Sequence, residues 1–324
     1  MSARVRVAIV SDIHYASTAE AARKNHTYAP ITNPLRRWLT RQYRHWIWMR
    51  DPFAHNHLLD RFCSETSSAD FAIANGDYSC DSAYVGVSDD AAFQSARECL
   101  GKLRLTFGAK LRASFGDHEI GKKMMSADCG GLRVASYRRA IDELLLDPLW
   151  KLQVGRYVFI GVTSTLLALP VYEAEALPEE VPTWRRLREE HVQEIHRTFA
   201  AISPEKRILL FCHDPSALPF LWKESVIRSR VNQIERTIIG HLHSPAVYRQ
   251  SLLLAGMPTI GFLGHTPLRL SRALREARDW KPFKPLLCPS IAGIQIRKDG
   301  GYFIIELDPS GATPPRFDFH PLAW

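Results

Sequence analysis

A mixed α/β fold in one domain is what this sequence predicts, on two observations. Short apolar runs of strand length recur along the chain, and stretches with helical periodicity separate many of them. A third observation bears on function: most of the early and central runs end in an aspartate or a histidine.

In chain order, the predicted strands are VRVAIV (5–10), DFAIAN (70–75), the short KLRASF (110–115), YVFIGVTST (157–165), RILLFC (207–212) and RTIIG (236–240). Residues 293–307 alternate apolar positions about an Asp-Gly-Gly turn, which predicts a hairpin and hence an antiparallel ribbon. Helical periodicity covers Asp89–Leu103, Ser136–Leu146 and Trp184–Ala201. With 324 residues, 46% of them hydrophobic, and no internal repeat or Gly/Ser linker, residues 1–324 are expected to form one domain, with an arm inserted at about 30–57.

A net charge of +8 favours an anionic partner: nucleic acid, a phosphorylated ligand or an anionic membrane surface. The first apolar run is too short for a signal peptide or a membrane span, so a cytoplasmic location is expected. Six scattered cysteines without a C-x-x-C pair predict buried reduced thiols, not a disulfide frame or zinc site.

The strand ends carry the chemistry. VAIV runs into Asp12 and His14, FAIAN into Gly76-Asp77, KLRASF into Gly116-Asp117-His118-Glu119, ILLFC into His213-Asp214, and TIIG into His241 and His243. In open α/β sheets such loops are where ligands collect. Three aspartates with three or four imidazoles suit two divalent ions of the Mn²⁺, Fe²⁺ or Zn²⁺ kind better than one. A pair of ions about 3.5–4 Å apart activates water for in-line attack at phosphorus. Neither H-E-x-x-H nor H-x-H-x-D-H is present, which argues against the zinc peptidase and metallo-β-lactamase readings.

These five blocks, in this order and separation, resemble the calcineurin-like metallophosphoesterases: D-x-H (Asp12, His14), GD (Gly76, Asp77), GDHE where the family has GNH[DE] (Gly116 to Glu119), a single His after a strand (His213) and GHxH (Gly240, His241, His243). The resemblance implies a four-layer αββα sandwich with two mixed β-sheets. It further implies one metal on Asp12, His14 and His243, another on Asp117, His213 and His241, and Asp77 between them. The ions would be Mn²⁺ foremost, with Mg²⁺, Fe²⁺ or Zn²⁺ as alternatives. His118 would contact the scissile phosphate or protonate the leaving oxygen. Two positions depart from the family pattern. Asp117 replaces Asn and adds a charge at the second metal, while GDxxD becomes Gly-Asp-Tyr-Ser-Cys, with Cys80 at the acid position and Asp81 beside it. Asp117 could instead cap the turn that follows it. His26, His45, His191, His196, His265 and His320 are expected at the surface or in packing, as are His55 and His57 despite their H-x-H spacing.

Residues 35–50, LRRWLTRQYRHWIWMR, hold five arginines and three tryptophans without an acid. Asn33-Pro34 predicts a helix start. Projection at about 100° per residue places Leu35, Trp38, Leu39, Tyr43, Trp46, Met49 and Phe53 on one arc and Arg36, Arg37, Arg41 and Arg44 on the other, with Trp48 and Arg50 fitting neither. Such a stripe is ordinarily a face packed on a core. Aromatics opposite a wholly cationic face predict instead a helix lying in a membrane interface, peripheral on the inner face of the cytoplasmic membrane. The second basic and apolar segment, 267–275, could share that surface. Contact with nucleic acid, arginines on phosphates and aromatics on bases, is the alternative.

An arm of this kind resembles that of the UDP-2,3-diacylglucosamine pyrophosphatases of lipid A synthesis, which release UMP and 2,3-diacylglucosamine 1-phosphate. The resemblance is not to their branch with Arg at the His118 position. The other readings are a soluble nucleotide or cyclic-nucleotide phosphodiesterase, a nuclease, and a non-catalytic scaffold.

Overall fold

The computed structural model describes residues 4–23, 28–80, 84–124, 127, 129–262 and 265–324. His26 and Asp81 lie outside them. Ten strands are present among the described residues: β1 Val5–Val10, β2 Phe71–Ala74, β3 Leu111–Ala113, β4 Leu149–Val154, β5 Tyr157–Val162, β6 Arg207–Cys212, β7 Ile234–Ile239, β8 Pro285–Leu287, β9 Gly301–Leu307 and β10 Arg316–Pro321. They form two five-stranded sheets, ordered β10-β9-β1-β2-β3 and β4-β5-β6-β7-β8. Both sheets are mixed. β1, β2 and β3 run parallel, as do β5 to β8, while β9, β10 and β4 supply the antiparallel pairings.

Alternation along each strand divides the apolar residues between two layers. Val7, Ile9, Ile73, Phe303 and Ile305 of the first sheet meet Phe159, Leu209, Phe211 and Ile238 of the second in a dry layer between the sheets. Their neighbours Ala8, Val10, Ala72, Val158, Ile160 and Leu210 join a second cluster with the helices. On the first sheet these helices include Asn56–Thr66 and Asp90–Phe107, which bury Phe62, Phe93, Leu100 and Leu103. The helix Val181–Ala200 contributes Trp184, Ile195 and Phe199. Two facing sheets with helices outside make the four layers that the resemblance implies. Residues buried on both sides explain why β1, β5 and β6 read as near-continuous apolar runs.

The expected hairpin at 293–307 is not formed. β9 pairs instead with β1 and β10, and residues 293–299 hold no strand, with a turn at 295–297. The physical reason is an alternative partner: the N–H groups of Gln295 and Ile296 donate to the carbonyls of Trp48 and Ile47 at 2.7 and 3.2 Å. β4, β8 and β10 had no sequence expectation. β8 and β10 are edge strands with weak alternation, and β4 carries exposed Lys151 and Gln153.

The arm begins as expected, with the Asn33 side chain accepting from Arg36 N–H and Pro34 in the first turn. Its helix runs over Pro34–Tyr43 and passes into one π-helical stretch, Arg44–Trp48, that ends at Met49. That changes the phase, so the single arc drawn to Phe53 does not persist: Met49 packs on the core, and Phe53 lies in a turn beyond the helix. No residue of Pro34–Tyr43 is buried, so this stripe is not a face packed on a core. Leu35, Trp38, Leu39 and Trp46 remain 63%, 56%, 51% and 61% exposed. Trp48, one of the two residues off the arc, turns toward His243. No helix among the described residues is long and apolar enough to cross a membrane.

Candidate metal centre

Because β1, β2, β3, β6 and β7 run in one direction within each sheet, their C-terminal ends share one edge of the sandwich. The loops leaving them interlock: Asp12 N–H donates to Gly76 O, His14 N–H to Asp77 O and Gly240 N–H to His213 O. His241 N–H crosses from the second sheet to the Asp12 carboxylate at 3.0 Å. Glycines keep this meeting point open. A Cβ on Gly116 would lie 2.1 Å from Asp77 Oδ1, and one on Gly240 2.2 Å from Ser11 Oγ and 2.5 Å from Asp12 Oδ2.

Two groups of side chains result, each with ligand atoms within 4.8 Å of one another: Asp12, His14, Asp77 and His243, and Asp77, Asp117, His213 and His241. Asp77 belongs to both. These are the residues and the division expected from the sequence. The backbone is bent to deliver them, since Asp12, His14, Asp77, His241 and His243 all adopt φ between 50° and 61°. Left-handed backbone at non-glycine residues costs of order 1–3 kcal/mol each and persists where the surroundings enforce it.

The donor set fits divalent cations. His14 Nδ1 faces the Ser79 carbonyl at 3.2 Å and His213 Nδ1 faces the Asn75 carbonyl at 2.5 Å. Each ring therefore donates at Nδ1 and turns a lone pair at Nε2 inward, the arrangement of metal-binding imidazoles. His14 Nε2 then stands 3.2 Å from His243 Nε2, and His213 Nε2 stands 3.3 Å from Asp77 Oδ2 and 3.5 Å from Asp117 Oδ1. His213 Nε2 and Asp77 Oδ2 are buried without a hydrogen-bond partner. Acceptors converging in a buried space call for a cation.

The electrostatics say the same. Burial pushes Asp12 up to about 6, opposed by His213 and reinforced by Asp77. Burial lowers His14 to about 4 and takes His243 well down, keeping both neutral and able to bind a metal. Burial also disfavours charge on His213, yet Asp77, Asp12 and Asp117 around it drive its pKa well up. The three carboxylates thus favour a positive charge at this point of the site.

His118 sits between the two groups. Its Nδ1 faces the Cys80 carbonyl at 2.9 Å, its Nε2 lies 3.8 Å from Asp77 Oδ2, and its ring meets His14 edge-on. Burial first and Lys122 second lower it to about 3. Asp117 is the first residue of the short helix Asp117–Ile120, with Gly116 in the cap position. Its carboxylate faces His241, His213 and Lys122, so it does not cap the turn.

Sequence reasoning missed four supporting residues. Glu119 accepts from the N–H groups of Asp77, Tyr78 and Gly116 at 3.1, 2.8 and 2.8 Å, clamping two strand-end loops together. Buried Glu20 accepts from Ser95 and from Cys80 N–H, and so braces the loop at Cys80. The Cys80 thiol, pushed well up by burial and Glu20, stays neutral. Lys122 Nζ lies 2.7 Å from Asp117 Oδ2. Trp48 packs its ring 4.7 Å from that of His243 and walls a small cavity with Ile13, His14, Met49 and Cys80. Only Glu119 had a signal, its place in GDHE.

The remaining histidines form no third group among the described residues. His191 Nε2 accepts from Thr163 N–H in the core, His196 pairs with Glu224, His320 stacks on Tyr302, and His55 packs on Trp324. His57 faces the Ala54 carbonyl, His45 meets Trp46 edge-on, and His265 faces the Met124 carbonyl. All six cysteines are free; Cys63 and Cys129 are only partly buried.

No family model and no curated protein matches the chain. Among solved structures, the chain is similar to a dimetal phosphatase from Danio rerio, at 12% identity over 94% of this chain and 92% of that one, with a TM-score of 0.49. It is also similar to a purple acid phosphatase from yellow lupin (Lupinus luteus) seeds, at 12% identity over 75% of this chain and 38% of that one, TM-score 0.36. A phosphopantetheinyl hydrolase from Mycobacterium tuberculosis aligns at 15% identity over 75% of this chain and 84% of that one, TM-score 0.36.

Proposed function

We propose that this chain is a phosphoester or pyrophosphate hydrolase that uses two divalent ions, Mn²⁺ foremost, and works at a membrane surface. The shared carboxylate carries the reading: Asp77 stands in both ligand groups, so ions held by them would be neighbours. Bound in such a pair, divalent ions lower the pKa of water and neutralise phosphate oxygens. Asp12, His14 and His243 would hold one ion, Asp117, His213 and His241 the other. His118, oriented by the Cys80 carbonyl, directs Nε2 at the space beside Asp77, where it would contact the phosphate or hand a proton to the leaving oxygen.

The membrane part of the reading is supported by the exposed apolar residues of the arm with Arg36, Arg37, Arg41 and Arg44 on the same segment. Each arginine near an anionic surface adds roughly 1 kcal/mol. The arm is joined to the site, since Trp48 lies against His243. Among membrane-borne pyrophosphates, the proposed substrate is UDP-2,3-diacylglucosamine, cleaved to UMP and 2,3-diacylglucosamine 1-phosphate.

The deciding experiment is UMP release from that lipid in detergent micelles with Mn²⁺, against chelator-treated and Asp12→Ala protein. Metal-dependent release that the substitution abolishes is the expected result. Turnover of a soluble phosphodiester without the lipid would keep the metal chemistry and move the substrate to nucleotides or nucleic acid. An active Asp12→Ala enzyme would overturn the metal reading altogether.

The arm has its own test. Deleting it would strip Trp48 from the site, so the informative variant is Leu35→Ser/Trp38→Ser/Leu39→Ser. Losing three exposed apolar groups that would enter the lipid should weaken sedimentation with anionic liposomes by about 10²- to 10³-fold. Turnover of a soluble phosphodiester should stay within about twofold, the three side chains lying outside the metal groups. Equal loss on both readouts would reject a membrane role.

A further inference from the structure

Asp117 is the position where a second carboxylate charge enters the second ligand group, and the structure shows what balances it. Its two oxygens have different partners. Oδ1 lies 3.2 Å from His241 Nδ1 and 3.5 Å from His213 Nε2, on the side where an ion would sit. Oδ2 lies 2.7 Å from Lys122 Nζ. The lysine is held there by its backbone: Lys122 N–H donates to Tyr84 O, and Lys123 N–H donates to Glu175 Oε2 at 2.8 Å. Glu175 in turn takes both contacts from Arg269, at 3.0 and 3.1 Å, so the segment is pinned from two sides. The Lys122 side chain is 26% exposed, enough shielding for its charge to be felt by Asp117.

We propose that Lys122 is a positioning residue that converts Asp117 into a one-oxygen, charge-neutral ligand for the second ion, the electrostatic equivalent of a carboxamide. The charge count supports this. Two divalent ions against Asp12, Asp77 and Asp117 leave one positive charge; an asparagine would leave two; Lys122 restores the second. The geometry agrees, because the ammonium occupies the side of Asp117 where a carboxamide would carry its NH₂ group. The inference rests on the dinuclear reading above.

A double-mutant cycle on the full chain tests it, read by Mn²⁺ calorimetry and by the spin-coupled signal of an Mn²⁺ pair, with melting of each metal-free variant as a folding control. Lys122→Met should tighten the second ion about tenfold, since an uncompensated carboxylate then faces it. Asp117→Asn should weaken it about tenfold, the lysine now standing unpaired beside a cation. The double variant should return to wild-type affinity, and Lys122→Arg should match the wild type. A Lys122→Met substitution that leaves Mn²⁺ affinity unchanged in both backgrounds, so that the double variant stays as weak as Asp117→Asn, would overturn the compensation while leaving the dinuclear reading intact. Wild-type protein that takes up no second Mn²⁺ would refute that reading and the pair with it.

Discussion

Asp77→Asn is expected to lower turnover by about 10³-fold or more, equivalent to a barrier raised by about 4 kcal/mol. Asp77 alone stands in both ligand groups, and its Oδ2 is buried with no other partner to satisfy. The asparagine keeps the acceptor for His118 N–H, now at 3.0 Å from Oδ1, so the loop should hold its shape. What would be lost is the charge that the two proposed ions would share. Thermal melting separates this from misfolding: Mn²⁺ should raise the melting midpoint of the wild type by linkage and that of Asp77→Asn much less. A variant that binds two ions with wild-type affinity and turns over normally would remove Asp77 from the shared position.

Glu119→Ala should be the most destabilising single change at the site, by about 3–5 kcal/mol, because it leaves three buried backbone N–H groups without acceptors. Those groups belong to Asp77, Tyr78 and Gly116, so the substitution loosens the loops after β2 and β3 together. Urea denaturation should show a lower midpoint and activity should fall with it, although Glu119 lies in neither ligand group. Glu119→Gln, which retains one acceptor oxygen, should recover part of both. An Ala variant with an unchanged midpoint would show that water replaces the carboxylate.

The strand-end residues were legible because their signal is local. An apolar run that stops at an aspartate or histidine states both the strand and a candidate ligand, and Asp12, Asp77, His213 and His241 each follow this form. Their convergence also followed, since parallel strands end on one edge. Lys122 and Glu20 were not legible: each acts through a partner distant in the chain or across a loop, and neither stands at the end of an apolar run. The arm was half legible. The Asn33 cap holds, but the arc drawn from Leu35 to Phe53 does not, because the π-helical stretch after Tyr43 shifts the phase by a residue and sends Trp48 toward His243. The segment around Gln295 misled for the same kind of reason. Its alternation suits a strand, and its backbone bonds are taken by Ile47 and Trp48, about 250 residues earlier.

The five left-handed residues at the site have a bearing on how this chain could be altered. Glycine or asparagine would relax the backbone at Asp12, His14, Asp77, His241 and His243, so a procedure that rewards thermal stability alone would choose them there. A stabilised version of this protein must therefore exempt those five positions. In any other chain of this architecture, bulky polar residues kept in left-handed backbone at the same strand ends would be a sign that chemistry, not folding, selects them.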